Sequence, residues 1–307
     1  MTHMSTAARN RFRELLAAKE VLVMPGAYDA LSARMIEQAG FNATTAGGLA
    51  GIAGMLAEPD IGQSNMRDYA DHYARVCGAV SIPVMVDGDT GFGDVNNVRH
   101  MVRAFEAAGV AGFFINDQVF PQRCGYLPGK QIIPVGDMLA KIKAAVDARR
   151  DQSLVVGART DAALVSGLSE AIDRSCLFIE AGADVAKPQC VDRAEDIARV
   201  VREVPGPHIT TLSQAAGAHK LDIADLTALG VAAVSLPSVT LFTAMAAMKK
   251  NLAALKRENA LGAAAASLLP LKEYYELTGL GALLAREKQY QEAAQSLLKK
   301  PTRKQSA

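Results

Sequence analysis

The sequence predicts an α/β protein, a (β/α)8 TIM-type barrel with extra C-terminal helices. Three observations predict it. Eight short, β-branched apolar runs recur along the chain. Stretches of helical period separate them, and several of those stretches end in Ala-Gly, a common helix stop. Strand–helix alternation implies a parallel sheet with helices outside, and eight units imply closure into a barrel. No Gly-x-Gly-x-x-Gly opens a first helix, so a dinucleotide fold has little support.

The expected strands, in order, are "VLVMPGA" from Val21, "ATTAGG" from Ala43, "IPVMVDGD" from Ile82 and "GFFIND" from Gly112. The second four are "SLVVGARTD" from Ser153, "DVAKPQ" from Asp184, "HITTLS" from His208 and "AAVSLP" from Ala232. "VNNVRHMVRAFEAAG" and "SEAIDRSCLFIEAGAD" show the helical pattern between them, and "EQAGF", "EAAGV" and "IEAGAD" carry the stop. One barrel domain is expected over 1–307, with a core of about 20–258 and a helical extension of about 259–300. That extension is rich in Ala and Leu, and its apolar faces need a cover, for which a neighbouring subunit is one possibility. No linker of low complexity interrupts the chain.

Barrel active sites lie at the C-terminal ends of the strands. The polar residues collect there: Asp87 and Asp89, Asn116 and Asp117, Arg159 and Asp161, Lys187 and Gln189. Asp87 and Asp89 in "IPVMVDGDTGFGD", with Asp94 beyond, are two apart, a spacing that puts side chains on one face of a strand. Burying either carboxylate is expensive unless solvent, a base or a cation accompanies it. A polar Asp-Gly turn is the bland alternative. The convergence of strand ends favours a cation-binding site.

After the fourth strand comes "QVFPQRCGYLPGKQIIP", longer than an ordinary βα loop and readable as a lid hinged at Gly125 and Gly129. It holds Arg123, Cys124 and Lys130. Basic neighbours suggest a lowered thiol pKa and acid–base or nucleophilic chemistry, against the alternative of a small loop residue. Cys77, Cys176 and Cys190 fit the latter description.

Bulk properties exclude other classes. Lys and Arg total 33 against 32 Asp and Glu, with no basic stripe for nucleic acid or an anionic membrane. There is no tryptophan, no apolar run long enough for a bilayer, and no signal-like apolar stretch near the N-terminus. The four cysteines are scattered without metal-type pairing, which fits a reducing, cytoplasmic setting.

The motifs "EPDIGQSN", "VDGDTGFGD", "DQVFPQRCGYLPGK" and "GARTDA" resemble the isocitrate lyase / phosphoenolpyruvate mutase superfamily, nearest its short bacterial lyases. The resemblance runs from "MPGAYDALSARMIEQAGF" to about Met248. It implies a (β/α)8 barrel, a mobile lid, a homotetramer, and a Mg²⁺ site that Mn²⁺ could also fill. It further implies chemistry on 2-oxo or 2-hydroxy acids through an enolate. By that resemblance Asp87 and Asp89 match the metal-site acids, with Asn116 beside them. Asp60 matches a substrate-site acid and Arg159 the arginine that holds the oxo-acid carboxylate. Cys124 matches the proton donor of the lyases, a residue that the mutases and decarboxylases generally lack.

Four positions depart from the pattern. Asn116 stands for a Glu, Tyr126 for the His after Cys-Gly, Gln189 for a Glu with Lys187 just before it, and Gly47-Gly48 for Ser-Gly. Tyr126 can still donate a hydrogen bond. Two acids have become amides and a lysine has arrived, which suits a different or more anionic substrate, or lost activity. The leading expectation is a carbon–carbon lyase acting on a substituted malate- or isocitrate-like acid. An oxaloacetate-type decarboxylase or hydrolase follows, then a phosphonate mutase, and then a non-catalytic barrel that binds an oxo acid.

Overall fold

A computed structural model describes residues 2–213 and 221–298. Eight parallel strands appear where the apolar runs predict them: β1 (Leu22–Pro25), β2 (Thr44–Ala46), β3 (Val84–Asp87), β4 (Gly112–Asn116), β5 (Val155–Thr160), β6 (Val185–Pro188), β7 (Ile209–Thr211) and β8 (Ala233–Leu236). They are shorter than their sequence runs. Strands β2 to β6 pair in order, as do β7, β8 and β1. Single parallel bridges, Gly26 with Thr45 and Ala186 with His208, join the two groups at both edges. The ring therefore closes in sequence order, as strand–helix alternation demands.

Local chemistry sets the helices between strands. Asp94 accepts from Asn96 N and Asn97 N at the start of helix Val95–Ala108, and Gly109 ends that helix at φ 91°. Asp94 is thus a helix cap, apart from the acid pair before it. Asp29 and Asn65 cap helices Ala30–Gln38 and Met66–Ala79 in the same way.

The barrel interior is apolar below and polar above. Leu22, Met24, Met85, Phe114, Val155, Val185, Ile209 and Ala233 form one buried cluster with Phe12 and Leu16 of helix Thr2–Leu16. Arg9 and Arg13 of that helix donate to the carbonyls of Val110 and Ser153, just before β4 and β5, so the helix covers the N-terminal end. Each fully buried large side chain contributes roughly 1.5–3 kcal/mol. Further along the strands, one alternation on in most and past Gly157 in β5, the inward positions become Asp87, Asn116, Arg159, Lys187, Thr211 and Ser235. The period of two thus delivers polar groups to one end of an apolar barrel.

The described residues up to Ala246 form one compact unit that contains the barrel, and those from Ala247 form a second. The second holds the end of helix Val239–Glu258 and helices Gly262–Ala265, Leu271–Thr278 and Leu280–Leu298. The last residues of the expected extension, 299–300, lie outside the described residues. No described helix is long and apolar enough to cross a membrane.

Candidate active site

A cavity of about 400 Å³ opens at the C-terminal ends of the strands. Ten of the residues singled out from the sequence line it: Gly47 and Gly48 after β2, Asp60, Asp87, Cys124, Gly125 and Tyr126 in the lid, Arg159, Lys187 and Gln189. Asp89 and Asn116 are buried behind the wall, at 1% and 0% exposure.

The acid pair does not share a strand face. Asp87 ends β3, but Asp89 lies in the following turn at φ 48°, so strand alternation stops between them. The turn itself holds Asp89, because Asp89 N donates to Asp87 Oδ1 (3.0 Å) and Asn116 N to the Asp89 carbonyl (2.8 Å). Tyr73 Oη donates to the Asp87 carbonyl (2.8 Å), which pins the strand end.

Three carboxylates face one another here. Burial, then repulsion from Asp87, pushes Asp60 up to about 6, with Arg159 pulling the other way. Burial, then Asp87 and Asp60, holds Asp89 well above the usual carboxylate range. Asp89 Oδ2 and Asp60 Oδ1 are buried with no hydrogen-bond partner. These are the marks of a place where a cation would be welcome. Among the described residues no three His, Cys, Asp or Glu side chains gather as a ready cage. Mg²⁺ commonly takes only one or two carboxylates and completes its shell with water and substrate oxygens, so the Asp87–Asp89 pair fits it.

Asn116 is engaged elsewhere. Its Oδ1 accepts from Gln118 N (3.0 Å) and its Nδ2 donates to Gln122 Oε1, while Gln122 Nε2 donates to Asp89 Oδ1. Gln122 was not singled out from the sequence, although it stands two residues before Cys124 in the lid motif. Thr211 and Ser235, whose hydroxyls lie 2.8 Å apart on the cavity wall, also escaped notice. Their signal was the polar ends of the last two strand runs.

Arg159 spends one edge on its own neighbour. Nε and Nη2 reach Asp161 Oδ2 and Oδ1 at 2.9 and 3.1 Å, and Nη1 lies 3.9 Å from Asp87 Oδ2. The terminal edge remains for a ligand carboxylate. Burial raises Asp161, but Arg159 and Lys130 outweigh it and hold the carboxyl low. Lys130, sequence neighbour of Cys124, is the second partner of Asp161 at 2.8 Å. Asp117 lies outside the cavity, bonded to Thr160 Oγ1, Asp161 N and Arg174.

The Cys124 thiol corrects an expectation. Its pKa is raised, because burial outweighs the hydrogen bond from Tyr126 N and the charges of Arg159 and Lys130. Arg123 turns away to the Pro128 carbonyl (3.3 Å). Cys124 is therefore a thiol at neutral pH, suited to giving a proton. Burial likewise pushes Tyr126 up to about 12, against a hydrogen bond with Ser213. The lid is seated on the site: Cys124 N donates to the Asp60 carbonyl (3.2 Å), and a Cβ on Gly125 would come within 2.8 Å of Arg159 Nη2.

The sequence pattern of the phosphoenolpyruvate phosphomutase family matches residues 12–256. The chain belongs to that family. It is 34% identical over 287 residues to 2,3-dimethylmalate lyase of Eubacterium barkeri, covering 94% of this chain and 99% of that protein. Oxaloacetate acetylhydrolase, solved with 3,3-difluorooxalacetate, superposes with a TM-score of 0.87 at 28% identity, covering 93% of this chain and 97% of that one. Phosphonopyruvate hydrolase, solved with oxalate and Mg²⁺, does so with a TM-score of 0.84 at 29% identity, covering 92% and 99%.

This member of the phosphoenolpyruvate phosphomutase family keeps room for what it lacks. A Cβ on Gly47 would meet nothing within 4 Å, so that position faces open space, whereas one on Gly48 would meet Asp60 Oδ2 at 2.7 Å.

Proposed function

We propose that this carbon–carbon lyase cleaves a substituted malate- or isocitrate-like 2-hydroxy acid, with Mg²⁺ as its cofactor. The products are a 2-oxo acid, pyruvate or glyoxylate, and a second carboxylate. The observation that carries the reading is Cys124: a protonated thiol in one cavity with a carboxylate-binding arginine and two acids.

The terminal edge of Arg159 binds the carboxylate beside the hydroxyl carbon, two parallel hydrogen bonds fixing its plane. Asp87 and Asp89 hold Mg²⁺, which when bound supplies Lewis-acid polarisation of substrate oxygens. Asp60, titrating near 6, takes the hydroxyl proton. The O–H electron pair becomes the new carbonyl, the C–C bond breaks, and its electrons pass to the other fragment as an enolate. Cys124 then delivers its proton to the enolate carbon, with Tyr126 and Ser213 beside it to relay a replacement. The seated lid excludes water that would otherwise weaken these contacts. The likeness to 2,3-dimethylmalate lyase supports this substrate class, and the Mg²⁺ and oxalate seen in phosphonopyruvate hydrolase support the cofactor.

The test is Mg²⁺-dependent release of pyruvate or glyoxylate from a panel of substituted malates and isocitrates. Cys124→Ser keeps size and hydrogen bonding but is a far weaker acid. It should lose about 10²–10⁴ of the cleavage rate while pyruvate still binds. The likeness to oxaloacetate acetylhydrolase favours a second reading, hydrolysis of an oxaloacetate-type acid. Turnover of oxaloacetate alone, at a rate indifferent to Cys124→Ser, would replace the first reading with the second.

A further inference from the structure

We infer that Lys187 forms a second anion subsite in the cavity, where it takes a second carboxylate of the substrate while Arg159 takes the first. The inference rests on the diacid reading above.

Lys187 is the register partner of Arg159 across β5 and β6, and both side chains reach the cavity. Its ammonium lies 4.7 Å from the centroid of the Phe114 ring. Gly157 makes room for that ring: a Cβ there would fall 2.5 Å from Phe114 Cδ1.

The other buried cations near the strand ends each have a carboxylate. Arg159 and Lys130 share Asp161, and Arg174 has Asp117. Among the described residues the Lys187 ammonium has neither hydrogen bond nor salt bridge; Asp87 and Asp161 act on it only at longer range, and the ring face is its direct contact. An ammonium removed from water without a carboxylate in direct contact is expensive, and such charges concentrate where a ligand completes them. The neutral donors that an oxyanion needs besides a charge are on the same wall: the Gln189 amide and the hydroxyls of Thr211 and Ser235. Burial, and then Arg159, lowers the Lys187 pKa to about 8 against the pull of Asp87 and Asp161, which leaves it mostly charged at neutral pH. The arrangement recognises a dicarboxylate whose two ends are read by different cations: the 2-oxo or 2-hydroxy acid end by Arg159, the far carboxylate by Lys187.

Calorimetric titration with length-matched pairs tests this, in the presence of Mg²⁺: 2-oxoglutarate against 2-oxovalerate, and oxaloacetate against 2-oxobutyrate. Lys187→Met keeps the stem and removes the charge. It should weaken the diacids on the order of tenfold to a hundredfold, leave the monoacids within about twofold, and so show that the variant is folded. Lys187→Arg should restore most of the diacid preference. Equal losses for diacids and monoacids, or no loss for either, would overturn the subsite. So would a covalent adduct on Lys187 after borohydride treatment with a 2-oxo acid, since the amine would then be attacking the carbonyl. Failure of the wild-type protein to bind even the monoacids is a separate result, and it removes the reading of Arg159 on which the subsite stands.

Discussion

The ammonium of Lys187 is held against a ring face, and the ligand-free protein carries that charge at a cost. Its folded pKa of about 8 lies below the ordinary value of 10.5. Between those two values the unfolded chain binds a proton that the folded chain does not, so stability rises with pH across that window. Near neutral pH Lys187→Met should therefore be the more stable protein, by at most about 3 kcal/mol. The advantage should shrink steadily from pH 8 to pH 10.5. Urea melts of both proteins at pH 7 and pH 10, without metal or ligand, check this; an advantage of equal size at both would show that the charge is not the cause. Cys124 teaches the same lesson. Its basic neighbours in sequence pointed to an acidic thiol, yet Arg123 and Lys130 are committed to Pro128 and Asp161, and burial decides the outcome.

The lid is the element that brings the chemistry together. Its carbonyl at Gly125 accepts from Lys130 Nζ within the loop and from Cys190 Sγ (3.3 Å) after β6. The backbone of Gly125 lies on Arg159 and Gln189, where a Cβ would sit 2.8 and 3.0 Å from their side-chain atoms. Gly125→Ala should lift the lid by a fraction of an ångström, displacing the thiol from its target. Misplacement of that kind can lower turnover by about 10²-fold. The melting temperature should barely move, because the barrel core is untouched. A variant with wild-type turnover would mean that the loop closes some other way during the reaction. Much of this was readable in advance: the length of the loop, its glycines and Cys124 announced a lid. Its seat was not, since Asp60 and Gln189 are remote in sequence from the residues they support.

At the scale of the whole molecule, the barrel encloses a large apolar core, whereas the C-terminal unit leaves much of its apolar surface uncovered. Leu252, Leu268, Leu269, Leu283 and Leu297 there are each more than half exposed. Side chains of this size in such number are a standing invitation to association. The expected assembly is a homotetramer. Sedimentation velocity at micromolar concentration should show one species of four chains, and replacing Leu252, Leu268 and Leu283 by Ser should release smaller species. A wild-type protein that sediments as a monomer would exclude that assembly.

The sequence by itself determined the architecture and the end of the barrel where the polar residues gather, but not Gln122, Thr211 or Ser235 on the cavity wall. The barrel follows from alternating strand and helix periods, and each period is a local property of a few neighbouring residues. The polar ends of the strands follow from the same alternation, as does their convergence once the ring closes. Only the tertiary structure decided how the charges are shared. Arg159 and Lys130 meet on Asp161, Gln122 bridges Asn116 to Asp89, and Lys187 is left without a carboxylate in contact. It also decided that Asp89 reaches its place through a left-handed turn, and that the Cys124 thiol stays protonated. The reason is physical. Protonation and pairing depend on burial and on distances between strands far apart in the chain, and no spacing within a motif encodes either.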